Sequence, residues 1–246
     1  MLQPNHGDSP KMVNFIKNYR KLTYKSAGHY TKVSKHAFMY TNYNYKNEWV
    51  LIVHGLGGAA RKMTPYVKNF LDLGYNTIIA GTRRSNEVDF INNWESDIEA
   101  ILAKLKSKYG IAPSVIYGQS LGASAVLSIA SKNQYKFDKI IVDSPFDDFY
   151  TTARNMYPII ARIIKSILSK LNYPRDILNK VKTLETPVLY CYGSADQATT
   201  PEQVKNLINN TKNSQFIAVE HAGHCRAMFY NPKAYWQKIK KFLGDK

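Results

Sequence analysis

Ser114-Val-Ile-Tyr-Gly-Gln-Ser-Leu-Gly-Ala123 is the stretch whose reading decides the rest of this chain. Val115, Ile116 and Tyr117 are strand formers, and Ala123-Ser-Ala-Val-Leu-Ser-Ile-Ala130 has the small apolar residues of a helix that packs closely on a sheet. Between them, Gly118-Gln119-Ser120-Leu121-Gly122 reads as a nucleophile elbow. A serine on a strained strand-to-helix turn presents an exposed hydroxyl, and side chains at Gly118 or Gly122 would collide with neighbouring backbone. The helix that follows aims its unpaired N–H groups at the serine. The amide of Leu121 is thereby placed to donate to an oxyanion formed on a substrate carbonyl.

Working outward, Trp49-Val-Leu-Ile-Val53 is a continuous apolar run ending in His54-Gly55-Leu56-Gly57-Gly58, the pattern of a central parallel strand buried on both faces. Helix 60–73, strand 76–80, helix 92–109, the elbow strand, helix 121–131 and strand 139–142 then alternate. That rhythm predicts parallel β-α-β units with right-handed crossovers. Residues 147–186 break it with helical patterns only, Ile159-Ile160, Ile163-Ile164, Ile167-Leu168 and Leu171 falling in phase, and are expected to form a small helical cap. Strand 187–192, helix 201–210, strand 215–219 and helix 232–243 resume the alternation. Residues 31–45 predict one or two edge strands. Ahead of them, residues 1–30 read as a loose lead-in followed by a basic amphipathic helix over 11–25, with Met12, Phe15, Ile16, Tyr19 and Leu22 at helical spacing. Residues 31–246 are thus expected to be a single domain.

A serine hydroxyl attacks only if a base takes its proton and a carboxylate holds that base in the right tautomer. In sheets of this type ligands bind beyond the carboxyl ends of the strands, which limits the candidates to residues just after strand ends. His221 and His224 follow the strand ending at Val219, and Asp196 follows the one ending at Tyr192. The chain order Ser120, Asp196, His224 is the one that goes with an elbow serine.

With the elbow, the His-Gly-Leu-Gly-Gly loop, the Gly193-Ser-Ala-Asp196 turn and the Ala222-Gly-His224 turn in this order, the chain from about Trp49 onward resembles the α/β-hydrolase family. Carboxylesterases, monoacylglycerol lipases and serine aminopeptidases belong to that family. The resemblance implies a mostly parallel central sheet flanked by helices on both faces, with a helical cap. It further implies Ser120 as nucleophile, His224 as general base and then acid, Asp196 as its orienting carboxylate, and the backbone amides of Leu56 and Leu121 as the oxyanion hole. His224 is favoured over His221 because the family's catalytic histidine commonly follows a small residue and a glycine. Asp143, before Ser144-Pro145-Phe146, is the alternative carboxylate that the resemblance implies, because some relatives place the acid there. His54 is read as bracing the oxyanion loop. Ala80-Gly-Thr-Arg-Arg-Ser-Asn86 departs from the family, where an acidic residue and a glycine pair usually follow this strand; exposed Arg83 and Arg84 are candidates for contact with an anionic substrate.

Composition narrows the partners. The 246 residues carry 34 Lys+Arg against 18 Asp+Glu, a formal charge of +16, which favours anionic surfaces. The lysines are scattered, and no helix-turn-helix, zinc-finger or RNA-recognition signature accompanies them, so nucleic acid is not an expected partner. A basic amphipathic helix at 11–25 is of the kind that lies on an anionic membrane, although packing against its own domain is the commoner fate. Two cysteines, Cys191 and Cys225, make no disulfide framework. His221, His224 and Cys225 share one short loop without a fourth ligand, so no metal site is expected. No apolar run reaches the ~20 residues of a membrane span and the N-terminus lacks a secretory apolar core, so the expected location is cytoplasmic.

The function expected from these features is a cofactor-independent serine hydrolase acting on carboxylic esters, lipid-like or of short to medium acyl chain. A serine peptidase or thioesterase on the same fold is the nearest alternative, because the triad serves all three. A non-catalytic binding protein on a hydrolase scaffold is the other.

Overall fold

The computed structural model describes residues 20–27, 32–41, 48–56, 60–82, 94–132, 134–160 and 176–244. Their core is one sheet of eight strands in the order β1-β2-β4-β3-β5-β6-β7-β8. The strands are β1 (Arg20–Ala27), β2 (Lys32–Tyr40), β3 (Trp49–Val53), β4 (Asn76–Ala80), β5 (Val115–Gln119), β6 (Lys139–Asp143), β7 (Val188–Gly193) and β8 (Ser214–Val219). From β4 to β8 across the sheet every pairing is parallel, while β1–β2 and β2–β4 are antiparallel. The reversal of strand order falls between β3 and β5, where connections leave for opposite faces of the sheet and a crevice opens at the carboxyl edge.

Helices cover both faces: α1 (Thr64–Asp72), α2 (Trp94–Tyr109), α3 (Leu121–Ala130), α4 (Phe149–Met156), α5 (Ile177–Lys182), α6 (Pro201–Asn209), α7 (Ala227–Tyr230) and α8 (Pro232–Leu243). Their sequences explain their depth. All ten residues of α3 are buried, as suits a helix of small and apolar residues whose two serines are hydrogen-bonded, Ser124 to Phe146 O and Ser128 to Glu95. By contrast, α8 buries Tyr235, Ile239, Phe242 and Leu243 and turns Lys233, Lys238, Lys240 and Lys241 to solvent. Two apolar layers result. One packs α2, α3 and α5 on the Leu51, Val53, Ile116, Ile140 and Val142 side of the sheet. The other packs α1 and α8 against Val50, Ile52, Val115, Tyr117, Ile141 and Cys191. Each fully buried Val, Leu or Ile contributes about 1.5–3 kcal/mol, so these alternating strand faces dominate the stability. A partly buried ion cluster ties the first layer laterally, with Lys132 Nζ 2.8 Å from both Glu95 Oε2 and Glu99 Oε1.

Among the described residues, the expected strands and helices of the alternating β-α pattern from Trp49 onward appear with small shifts of their ends. The exception among the described residues is the amphipathic helix expected over 11–25. Arg20–Ala27 is instead a strand, paired antiparallel with β2 from Arg20 opposite Met39 to Ala27 opposite Lys32. Leu22 and Tyr24 alternate with Lys21, Thr23 and Lys25, a period of two that suits a strand once a neighbour supplies the ladder. Residues 11–19 lie outside the described residues. So do Arg83, Arg84 and the Ile163–Leu171 portion of the expected cap, of which α4, a 3₁₀ turn at Pro158–Ile160 and α5 are described. Among the described residues no helix is long and apolar enough to cross a membrane.

Candidate active site

Ser120 sits between the end of β5 and the start of α3 with φ 54° and ψ −123°, a strained backbone for a non-glycine residue. The surroundings hold it there. The Ser120 N–H donates to Asp143 O at 2.8 Å. A Cβ on Gly118 would lie 2.6 Å from Ala123 Cα, and one on Gly122 would lie 2.4 Å from His54 O. Any side chain at either position would therefore force β5, α3 and the β3 loop apart. Gly55 closes the turn from the other side, where an added Cβ would come within 2.9 Å of Ser120 Cβ. Leu56 follows immediately, half-buried against the core, and Leu121 opens α3, so its amide lacks an intrahelical acceptor. Both candidate oxyanion donors are thus on segments that flank Ser120.

The turns after β7 and β8 supply the other two groups. Ser120 Oγ lies 2.9 Å from His224 Nε2, and His224 Nδ1 lies 2.9 Å from Asp196 Oδ2. The Asp196 carboxylate is fully enclosed while His224 is about one-third exposed. Burial works against the Asp196 charge, but the His224 contact and the donors of Thr199 outweigh it, so its pKa stays below the usual carboxylate value. Oδ1 accepts from the amides of Ala198 at 2.9 Å and Thr199 at 3.0 Å, and Oδ2 accepts from the Thr199 hydroxyl at 2.9 Å. An ionised Asp196 needs a donor from His224, which puts the proton on Nδ1 and leaves the Nε2 lone pair facing Ser120.

Of the two histidines, the chain brings His224 to the serine. His221 is exposed with φ 60°, its backbone N–H bound to Ser194 Oγ at 2.9 Å. His54 is buried; its Nδ1 lies 2.8 Å from Gly55 O, its Nε2 3.1 Å from Thr82 Oγ1, and its ring stands edge-on to Trp94. It braces the loop, as expected. Asp143 is not the partner of His224; it is wholly buried at the end of β6 and accepts from Tyr117 Oη at 3.1 Å.

Thr199 is a site residue that sequence reasoning missed. Its signal was present, since an aspartate whose side chain caps the amides two and three residues on, ahead of a helix opening at Thr200-Pro201, is common turn chemistry. Helix α6 begins there with a capping box formed by Thr200 and Gln203. The donors that hold Asp196 are therefore fixed by the start of a helix.

Comparison with known proteins agrees with this fold. The Pyrococcus furiosus esterase Pf2001 superposes with a TM-score of 0.77 at 18% identity, covering 99% of this chain and 96% of that one, a likeness of fold. Protein bem46 of Schizosaccharomyces pombe is 26% identical over 136 residues, 53% of this chain and 43% of that protein. The human alpha/beta hydrolase domain-containing protein 17B is 26% identical over 159 residues, 62% of this chain and 50% of that protein. The chain thus spans about half the length of these two curated relatives. The model of the family described as serine aminopeptidase, S33, matches residues 45–181, more than half of the sequence. The chain belongs to that family and is an α/β-hydrolase.

Proposed function

We propose that the protein is a serine hydrolase that cleaves carboxylic esters through an acyl-enzyme on Ser120. The observation that carries this reading is the continuous relay from Ser120 Oγ to His224 Nε2 and from His224 Nδ1 to Asp196 Oδ2, each step 2.9 Å. As Ser120 Oγ attacks the ester carbonyl, its proton passes to Nε2, and the imidazolium so formed is stabilised by Asp196. The tetrahedral oxyanion accepts from the Leu121 and Leu56 amides. Collapse transfers the proton from His224 to the leaving alcohol. Water, deprotonated by His224, then attacks the acyl-enzyme and releases the acid. Every proton is carried by His224, so the cycle needs no cofactor.

Two features favour an apolar ester. Met156, Tyr157 and Ile159, at and just past the end of α4, expose large apolar surface, Ile159 at 97%, a surface that suits a fatty or aromatic acyl group. Asp143 at the end of β6, and Asp147, Asp148 and Asp196 on the turns after β6 and β7, all accept hydrogen bonds from protein groups. Those turns offer no idle carboxylate for the free amine of an aminopeptidase substrate. The family description nonetheless keeps an aminoacyl amide as the second reading.

Fluorophosphonate labelling of wild type and Ser120→Ala, with p-nitrophenyl esters of increasing chain length and an aminoacyl p-nitroanilide, tests this. The expected result is labelling and ester turnover in wild type, both abolished in the variant. Turnover of the anilide alone would replace the ester reading by the peptidase one. A wild type that neither labels nor turns over any substrate would leave a non-catalytic binding role on this scaffold.

A further inference from the structure

Beneath the relay lies a buried carboxylate that the reaction above does not use. Asp143 ends β6, level with Gln119 on one neighbouring strand and Cys191 on the other. Its Oδ2 accepts from Tyr117 Oη at 3.1 Å, with Gln119 Nε2 at 3.5 Å. Its Oδ1 accepts from Ser144 Oγ at 3.3 Å. That hydroxyl in turn accepts from the backbone N–H of Cys225 at 3.1 Å, the residue next to His224. Both ends of this bridge are strained, Ser144 at φ 52° and Cys225 at φ 55°, and such backbone persists only where its surroundings over-determine it. The chain of contacts runs Asp143, Ser144, Cys225, His224. A second link runs through the main chain, since Asp143 O also accepts the Ser120 N–H at 2.8 Å.

We propose that Asp143 is a positioning residue of the hydrolytic site: through Ser144 it fixes the backbone that carries His224, and its negative charge favours the imidazolium that forms when Ser120 gives up its proton. This rests on the serine-hydrolase reading above and adds to it a second carboxylate, distinct from Asp196, which touches His224 directly.

The groups facing Asp143 from every packed element are Tyr117 of β5, Tyr66 of α1, Cys191 of β7, Tyr235 of α8, and Cys225 and His224 of the turn after β8. Lys238 faces Cys191 from α8, and Arg226 and Asp196 face Cys225. Burial pushes the four neighbouring phenols and thiols of Tyr66, Tyr117, Cys191 and Cys225, and the Tyr235 phenol with them, well above their usual ranges. They remain neutral through the physiological range. Burial also raises Asp143 itself, to about 6, hydrogen bonds from Tyr117 and Gln119 and the charge of His224 offsetting only part of the effect. Asp143 therefore changes charge in the range where a histidine-based hydrolase gains its activity.

The test is the fluorophosphonate labelling rate between about pH 5 and pH 9 for wild type, Asp143→Asn and Ser144→Ala. An asparagine mimics the protonated acid, so Asp143→Asn is expected to label about tenfold more slowly than wild type at pH 8, because the imidazolium that forms in the transition state loses a nearby negative charge. The gap is expected to close to less than about twofold at pH 5, where wild-type Asp143 is itself protonated. Ser144→Ala, which breaks the bridge but keeps the charge, is expected to slow labelling by a similar factor at every pH. A merely structural role for Asp143 leaves the gap constant with pH, and that result, or no gap at all, overturns the proposal. Should Asp143→Asn fail to fold, the wild type decides: an acid limb steeper than one proton supports the proposal and a strictly one-proton limb overturns it. If wild type labels at no pH, the hydrolase reading itself has failed and the proposal falls with it.

Discussion

Gly193→Ala is expected to disable the protein from outside the relay, whereas Gly223→Ala, adjacent to His224, is expected to be harmless. Gly193 ends β7, and a Cβ placed there would lie 2.0 Å from Ala222 O and 2.5 Å from Ala222 C, where ordinary contact begins at 3.4 Å. The obstacle is rigid backbone. Ala222 is buried and its carbonyl accepts the Ala195 N–H at 3.0 Å, so the turn must retreat by about 1.4 Å or the end of β7 must shift by as much. His224 is two residues along that turn, and its 2.9 Å contact with Ser120 does not survive such a displacement. Misplacing a catalytic group by about 1 Å costs about 10²-fold in rate. Overpacking plus the lost Ala195–Ala222 hydrogen bond costs about 2–4 kcal/mol of stability. At Gly223 an added Cβ meets nothing within 4 Å, so labelling is expected to stay near the wild-type rate and stability to stay within about 0.5 kcal/mol. Fluorophosphonate labelling rates and urea unfolding of both variants are the assay. A Gly193→Ala protein that labels at the wild-type rate, or a Gly223→Ala protein damaged as badly as Gly193→Ala, refutes the reasoning.

Further expectations follow from the same contacts. Asp196→Asn is expected to lower kcat for an ester about 10³- to 10⁴-fold by releasing the His224 tautomer, while Ser120 and its turn stay intact by thermal melting. Thr199→Val removes a hydroxyl donor from an enclosed carboxylate and is expected to cost about 1.5–3 kcal/mol in urea unfolding at pH 7. Because the Asp196 pKa is depressed in the fold, its stabilisation is present above the unfolded value and lost as pH falls through the folded one, so the loss in Thr199→Val is expected to set in at higher pH. Asp143 has the opposite sign. Burial raises its pKa from 3.8 to about 6, so its charge opposes folding above that range and the folded state takes up its proton first as pH falls. Asp143→Asn is accordingly expected to stabilise the fold by about 3 kcal/mol at pH 8, a gain that shrinks toward pH 4; melting temperatures of the two proteins that run parallel with pH would contradict it.

Much of the fold was legible because its central strands are unambiguous. Trp49–Val53 and Val115–Tyr117 are apolar runs too short for helices, each leading into a glycine-bearing turn, and a parallel sheet is the arrangement that buries such runs on both faces. Arg20–Ala27 was not legible in that way. Its apolar residues fit a helical spacing with those ahead of it, and a period of two as well, and the pairing with β2 decides between them. The short helix α7 was unseen because four residues carry no periodic signal.

By itself, the sequence determined the parallel α/β class, the elbow at Ser120 and the chain order of the three candidate groups, because these depend on local periodicity and turn chemistry. The choice of His224 over His221 needed a resemblance. Tertiary structure decided what depends on distance across the sheet: that Thr199 and the α6 cap hold Asp196, that Gly193 and not Gly223 is the glycine the His224 turn requires, and that Asp143 lies buried under the relay. Residues separated by 104 positions, such as Ser120 and His224, meet only because β5 and β8 end at one edge, and no local pattern encodes that spacing.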